Sequence, residues 1–148
     1  MKFEKFFKNV GTHGVIVKRN DNENWLVCGG VGMRIPDGVN NLGVSQAPDE
    51  LFTAIMNSDT SDDVLALEKA VLYNAEGKVK DIIRVFETDL GDSVGIYNDA
   101  YGLIEKKDVL TYLEIEDDEQ GIDYKIIVVS DYTGDIIGYI FGTKDYTC

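Results

Sequence analysis

The sequence predicts an α+β fold in which antiparallel β-hairpins form a twisted sheet or small open barrel, with two or three short helices. Three observations carry this. Runs of β-prone residues such as Val15-Ile16-Val17, Trp25-Leu26-Val27-Cys28 and Ile126-Ile127-Val128-Val129 recur along the chain, separated by turns rich in Asn, Asp and Gly. Helical periodicity is confined to short segments. The order helix, strands, helices, strands lacks the alternating βα units that build a parallel sheet.

Residues 2–10 place Phe3, Phe6, Phe7 and Val10 at i, i+3, i+4 and i+7 with lysines between them, the pattern of a short amphipathic helix. Gly11-Thr12-His13-Gly14 breaks it. The runs at 15–17 and 25–28 flank a polar stretch whose Asn and Asp residues suit a hairpin loop. Gly29, Gly30 and Gly32 follow, and Pro36-Asp37-Gly38 marks another turn. Pro48-Asp49-Glu50 opens a second helix: proline and acids fall in the first turn, and Leu51, Phe52, Ile55 and Met56 form its apolar face.

Residues 62–78 admit two readings. Asp62 can start a helix running to Tyr73. Alternatively Val71-Leu72-Tyr73 and residues 79–86 bracket the turn Asn74-Ala75-Glu76-Gly77-Lys78 as a hairpin, and periodicity does not separate the two. Beyond residue 79 the chain is strand-rich, with turns expected at 73–77, 97–102 and 130–135. The strongest hairpin signal pairs residues 124–129 with 136–141. The turn spacing is irregular, so no repeat architecture is implied.

A chain of 148 residues with 44% hydrophobic content and two prolines is expected to form one globular domain, 1–148, with a folded core. Cys28 and Cys148 lie far apart and are expected to be reduced thiols. Residues 1–8 carry charge at every second or third position, unlike a signal peptide. The longest purely apolar runs, such as 126–129, fall far short of the roughly 20 residues that span a bilayer. A cytoplasmic protein is expected, in the host cell if the gene is viral.

The formal net charge is −13, unevenly spread: residues 1–36 sum to +3 and residues 37–148 to −16. Such a charge opposes direct contact with nucleic acid or an anionic membrane and favours a basic partner.

The glycine cluster at 29–32 lacks both the Gly-x-Gly-x-x-Gly spacing and the Lys-Ser/Thr ending of phosphate loops, so a bulge or tight sheet crossing is expected. His13 and Cys28 form the one conceivable thiolate–imidazole pair, with no orienting group or oxyanion hole signalled. One histidine and two distant cysteines give no zinc spacing. Glu114, Glu116, Asp117, Asp118 and Glu119, with Asp123 beyond, are the densest charge in the chain. They lack the calcium-loop frame, as does the smaller group Asp59, Asp62 and Asp63. Asp89/Asp92 and Asp131/Asp135 are formal acid–base pairs with no pocket implied. All eight tyrosines fall at or after Tyr73, as strand residues or as interface residues.

The expectation is therefore a non-enzymatic acidic module that binds a basic partner protein, with no catalytic residues, metal or cofactor. A natural target is a nucleic-acid-binding protein, inhibited by mimicry of nucleic acid in the manner of viral anti-defence proteins. The partner-binding residues are expected to be Glu114, Glu116, Asp117, Asp118, Glu119 and Asp123. The alternative is a structural subunit of a homo-oligomeric assembly such as a phage particle, the Phe-rich first segment docking on a neighbour's acidic region.

Overall fold

A computed structural model describes residues 1–20, 22–39, 42–58, 64–75, 78–117 and 121–143. Helix α1 (Phe3–Val10) leads through a 3-10 turn into strands β1 (Val15–Asn20), β2 (Glu23–Cys28) and β3 (Val31–Arg34). Helix α2 (Glu50–Met56) precedes β4 (Ala66–Ala75), β5 (Lys78–Glu87) and β6 (Ser93–Tyr97). A single helical turn, α3 (Asn98–Tyr101), leads on to β7 (Val109–Asp117), β8 (Ile122–Ser130) and β9 (Ile136–Phe141). Two antiparallel sheets result, one of six strands in the order β1-β2-β3-β9-β8-β7 and one of three in the order β4-β5-β6. The fold is α+β, with open sheets and no closed barrel among the described residues.

Strand alternation sorts the six-stranded sheet into two apolar faces. One carries Val17, Trp25, Val27, Leu113, Ile126, Val128 and Tyr139, and α2 covers it with Phe52 and Ile55. Asp49 caps α2 by accepting a hydrogen bond from the Phe52 N–H at 2.9 Å, which satisfies one of the free donors of the first turn. Opposite Trp25 the ring of Phe52 meets edge to face at 5.4 Å. The other face is divided. Phe6 and Val10 of α1 cover Leu26 and Met33, whereas Phe86, Val94 and Ile96 of the three-stranded sheet cover Leu110, Tyr112, Ile127, Val129 and Ile140.

The glycine cluster is a tight crossing. Cys28 pairs with Val31, so Gly29-Gly30 is a two-residue turn, and Gly29 adopts φ +60°. Gly32 lies opposite Tyr139, whose ring occupies the space that a Cβ at Gly32 would need.

One open choice is settled and one expectation is corrected. Residues 66–75 form a strand, not part of a helix: nine of the ten residues of β4 pair along β5, and Leu65 just before them is buried. The long ladder decides a segment whose local pattern is ambiguous. Residues 97–102 do not join two strands of one hairpin. They wind into α3, where the Gly102 N–H bonds to the Asn98 carbonyl at 3.0 Å, and the chain then passes to the other sheet. The first segment is also less available for docking than the assembly alternative requires, because Phe6 and Val10 are spent in the chain's own core.

The Met1 ammonium ties α1 to the loop before β7. It lies 2.9 Å from Asp108 Oδ2 and 3.1 Å from Glu105 Oε1, and Asp108 Oδ2 also accepts the Glu105 N–H at 2.8 Å. The Asp108 side chain is 1% exposed, so this carboxylate has left water for protein donors. The hydrogen bond from the ammonium holds the Glu105 carboxyl below its ordinary value.

Gly32→Ala is expected to cost about 1–3 kcal/mol by overpacking against Tyr139, measured by denaturant unfolding. Removing the buried carboxylate in Asp108→Ala is expected to cost about 3 kcal/mol, at the low end for a broken buried pair because Glu105 remains beside the ammonium. Since folding lowers the Glu105 pKa, its contribution is present above the unfolded value of 4.5 and is lost as pH falls through the folded value. The stability difference between wild type and Glu105→Gln should therefore shrink on acidification over that range, as followed by thermal melts.

Candidate functional site

The β7–β8 hairpin changes character along its length. Near its base Leu110, Tyr112, Ile127 and Val129 are buried beneath the three-stranded sheet. Toward its tip the same face of β7 continues as Glu114 and Glu116, both exposed, because residues two apart on a strand share a face. Across the ladder Glu114 is opposite Lys125 and Glu116 is opposite Asp123. Three of the acidic residues singled out in the sequence, Glu114, Glu116 and Asp123, thus share one face. Two of them form a directly opposed like-charge pair, which is destabilising in a sheet. Among the described residues neither Glu116 nor Asp123 takes part in an ion pair.

Tyr112 links this acidic face to the core. Its hydroxyl donates to Glu114 Oε2 at 3.1 Å, while its side chain lies beneath the three-stranded sheet. Burial raises the phenol's pKa well above its ordinary range, and the hydrogen bond and charge of Glu114 add to that, followed by the charges of Asp92 and Asp123. Asp92 comes from the loop between β5 and β6, so carboxylates of both sheets act on one phenol. Nothing in the local sequence marks the charge of Asp92 as one that acts on Tyr112; the stacking of the two sheets brings it to bear. The Tyr112–Glu114 relation, in contrast, is visible as a spacing of two within a strand.

Asp117 ends β7 opposite Ile122, at a register position belonging to the alternate face. Asp118 and Glu119 lie outside the described residues, as do Asp59, Asp62 and Asp63. Asp131 is a turn builder. Its Oδ1 accepts the Thr133 hydroxyl at 2.6 Å, the Thr133 N–H at 2.9 Å and the Asp135 N–H at 3.1 Å. Those bonds, that of the Thr133 hydroxyl foremost, hold its carboxyl below the usual range. Asp92 likewise helps close a turn, its N–H bonding to Thr88 Oγ1 and its carbonyl accepting the Thr88 N–H.

His13, Cys28 and Asp99 line one cleft, with no hydrogen bond or ion pair between them among the described residues. The cleft measures about 500 Å³, and its apolar walls include Phe6, Val10 and Leu103. Cys28 is half-buried and carries a free thiol. The sequence signals the first two as a pair, but gives no sign that α3 delivers Asp99 to the same cleft. Among the described residues no three His, Cys, Asp or Glu side chains are grouped to hold a metal ion, and no helix is long and apolar enough to cross a membrane.

The chain matches no protein-family model, and neither curated proteins nor solved structures show a significant similarity to it.

Proposed function

We propose that this chain is a non-enzymatic binding protein whose β7–β8 acidic face engages a cationic surface on a partner protein. The observation that carries the reading is the opposition of Glu116 and Asp123 across the ladder, with Glu114 beside them and Asp92 nearby from the second sheet. A cross-strand like-charge pair costs stability, and an exposed pair that makes no ion pair among the described residues serves solubility or recognition rather than the fold. The pairing of the two strands also sets the spacing of the carboxylates. Successive same-face positions are about 7 Å apart along a strand, so Glu114 and Glu116 present carboxylates at that interval to lysine and arginine side chains, with Asp123 opposite.

The partner class that fits is a protein whose own surface is built for phosphates, such as a nuclease or a DNA-binding protein, with the carboxylates of Glu114, Glu116, Asp117, Asp118, Glu119 and Asp123 standing in for nucleic acid. Association of this kind is fast and salt-sensitive, because opposite charges steer the encounter and ions screen it.

The test is capture of a panel of basic nucleases and repressors at about 50 mM and about 200 mM salt, the range over which contacts of phosphate type weaken steeply. Wild type should bind at the lower salt, and Glu116→Lys/Asp123→Lys should reduce affinity at least about tenfold, roughly 1.4 kcal/mol. Binding that is indifferent to both salt and charge reversal would remove the reading.

A further inference from the structure

We propose that the chain forms a two-fold dimer through the outer edge of β4, residues 69–73 pairing antiparallel with the same residues of a second copy. The sheet edges are treated unequally. The edge of β1 is closed by residues 45–47, with Ile16 N–H bonding to the Ser45 carbonyl at 2.8 Å and Ala47 N–H to the Ile16 carbonyl at 3.0 Å. That of β7 is met by Leu65, whose N–H bonds to the Leu110 carbonyl at 2.8 Å, and that of β6 by Thr143, whose N–H bonds to the Gly95 carbonyl at 2.7 Å. Strand β4, ten residues long, has β5 on one side and, among the described residues, no strand or bridge on the other. An uncovered edge of that length is a template for another strand.

The hairpin itself needs support. Strand β6 pairs only with residues 83–87 of β5, so residues 72–75 and 78–82 form a ribbon of two strands. A two-stranded ribbon is marginally stable in water, and a third strand relieves that. Irregularities in register between Leu67 and Lys69 and between Tyr73 and Asn74 flank the straight run 69–73, which keeps five consecutive pairs with β5. The first of these, at Glu68, bulges β4 itself and discourages pairing there, whereas the second places its extra residue, Lys80, in β5; the straight run after Glu68 is left competent for pairing.

Charge selects the occupant. The chain has 27 acidic residues, yet residues 69–73, Lys-Ala-Val-Leu-Tyr, contain none. Two molecules of net charge −13 repel over most approaches, and this run adds no carboxylate of its own to that repulsion. The single charge there is Lys69, which disfavours a cationic strand. A two-fold axis at Val71 sets Lys69 opposite Tyr73 of the second copy and Ala70 opposite Leu72 of the second copy, so no like charges face one another within the run. The dimer then carries a continuous six-stranded sheet, β6-β5-β4 of one copy followed by β4-β5-β6 of the other.

Sedimentation equilibrium of the full chain from about 1 to about 200 μM tests this, with the weight-average mass expected to climb from 16.5 kDa toward twice that value. In Lys69→Glu/Ala70→Glu the new Glu at 70 faces Arg84 of its own hairpin, which favours the fold, and the pair of substitutions puts acids on both faces of the run. Dimerisation should weaken at least about tenfold while the far-UV spectrum and melting temperature are kept. Hydrogen exchange on wild type gives a readout that does not depend on the variant folding: amides of 69–73 should gain protection as concentration rises. A wild type that stays monomeric, a folded variant that dimerises as tightly, or protection at 69–73 that ignores concentration overturns the proposal. So does a wild type that buries β4 only when a cationic protein is added, which assigns the edge to that partner instead.

Discussion

Ile126, Ile127, Val128 and Val129 are each fully excluded from solvent, so β8 requires apolar material against both faces, and the layers of the molecule answer that requirement. A half-exposed strand alternates apolar and polar residues, whereas this run does not alternate. The Ile126 and Val128 face is closed by α2 with the Trp25–Phe52–Tyr139 aromatic group, and the Ile127 and Val129 face by β5 and β6. Curling the six strands into a small barrel would cover one face only. Two stacked sheets with a helix on the far side cover both, and this is why an open, layered arrangement prevails over closure.

The acidic face is a by-product of the same geometry. The three-stranded sheet reaches only partway along β7 and β8, so the face that buries Leu110 and Tyr112 at one end emerges as Glu114 and Glu116 at the other. Tyr112 straddles the boundary, with its ring in the core and its hydroxyl on the Glu114 carboxylate. Bonded in this way, Glu114 is fixed in direction on a rigid strand rather than waving on a loop. Acids anchored like this lose little further side-chain entropy when a partner binds, which is an advantage for recognition at modest contact area.

How far the sequence discloses this differs from element to element. The i, i+3, i+4, i+7 pattern of Phe3, Phe6, Phe7 and Val10 and the Pro-Asp-Glu start at residue 48 announce their helices, because both signals are local. The β8–β9 hairpin is equally plain, since Ser130–Asp135 turn chemistry sits between two apolar runs. Residues 66–75 stay ambiguous in the sequence because the deciding term is a ladder to β5 rather than any local preference. The candidate site is legible only in part. Glu114, Glu116 and Asp123 stand out by density, but their shared face depends on register, and the approach of Asp92 depends on how two sheets stack. Asp99 joins His13 and Cys28 for the same reason, delivered by a helical turn whose sequence reads as a hairpin loop.

A chain this acidic must separate the surfaces it offers to unlike partners from any it offers to itself. Attraction of a cationic protein grows with the local density of carboxylates, and so does repulsion of another copy, so one face cannot serve both. The sequence keeps them apart: acids crowd residues 114–123, and the straight run of β4 has none. Ionic strength then acts on the two with opposite sign. Screening shortens the reach of the acidic face toward a cation, and the same screening would lower the repulsion between two copies in the proposed pairing along β4. The distribution of charge along the fold, rather than its total, is therefore what sets which contacts the protein can make under given conditions.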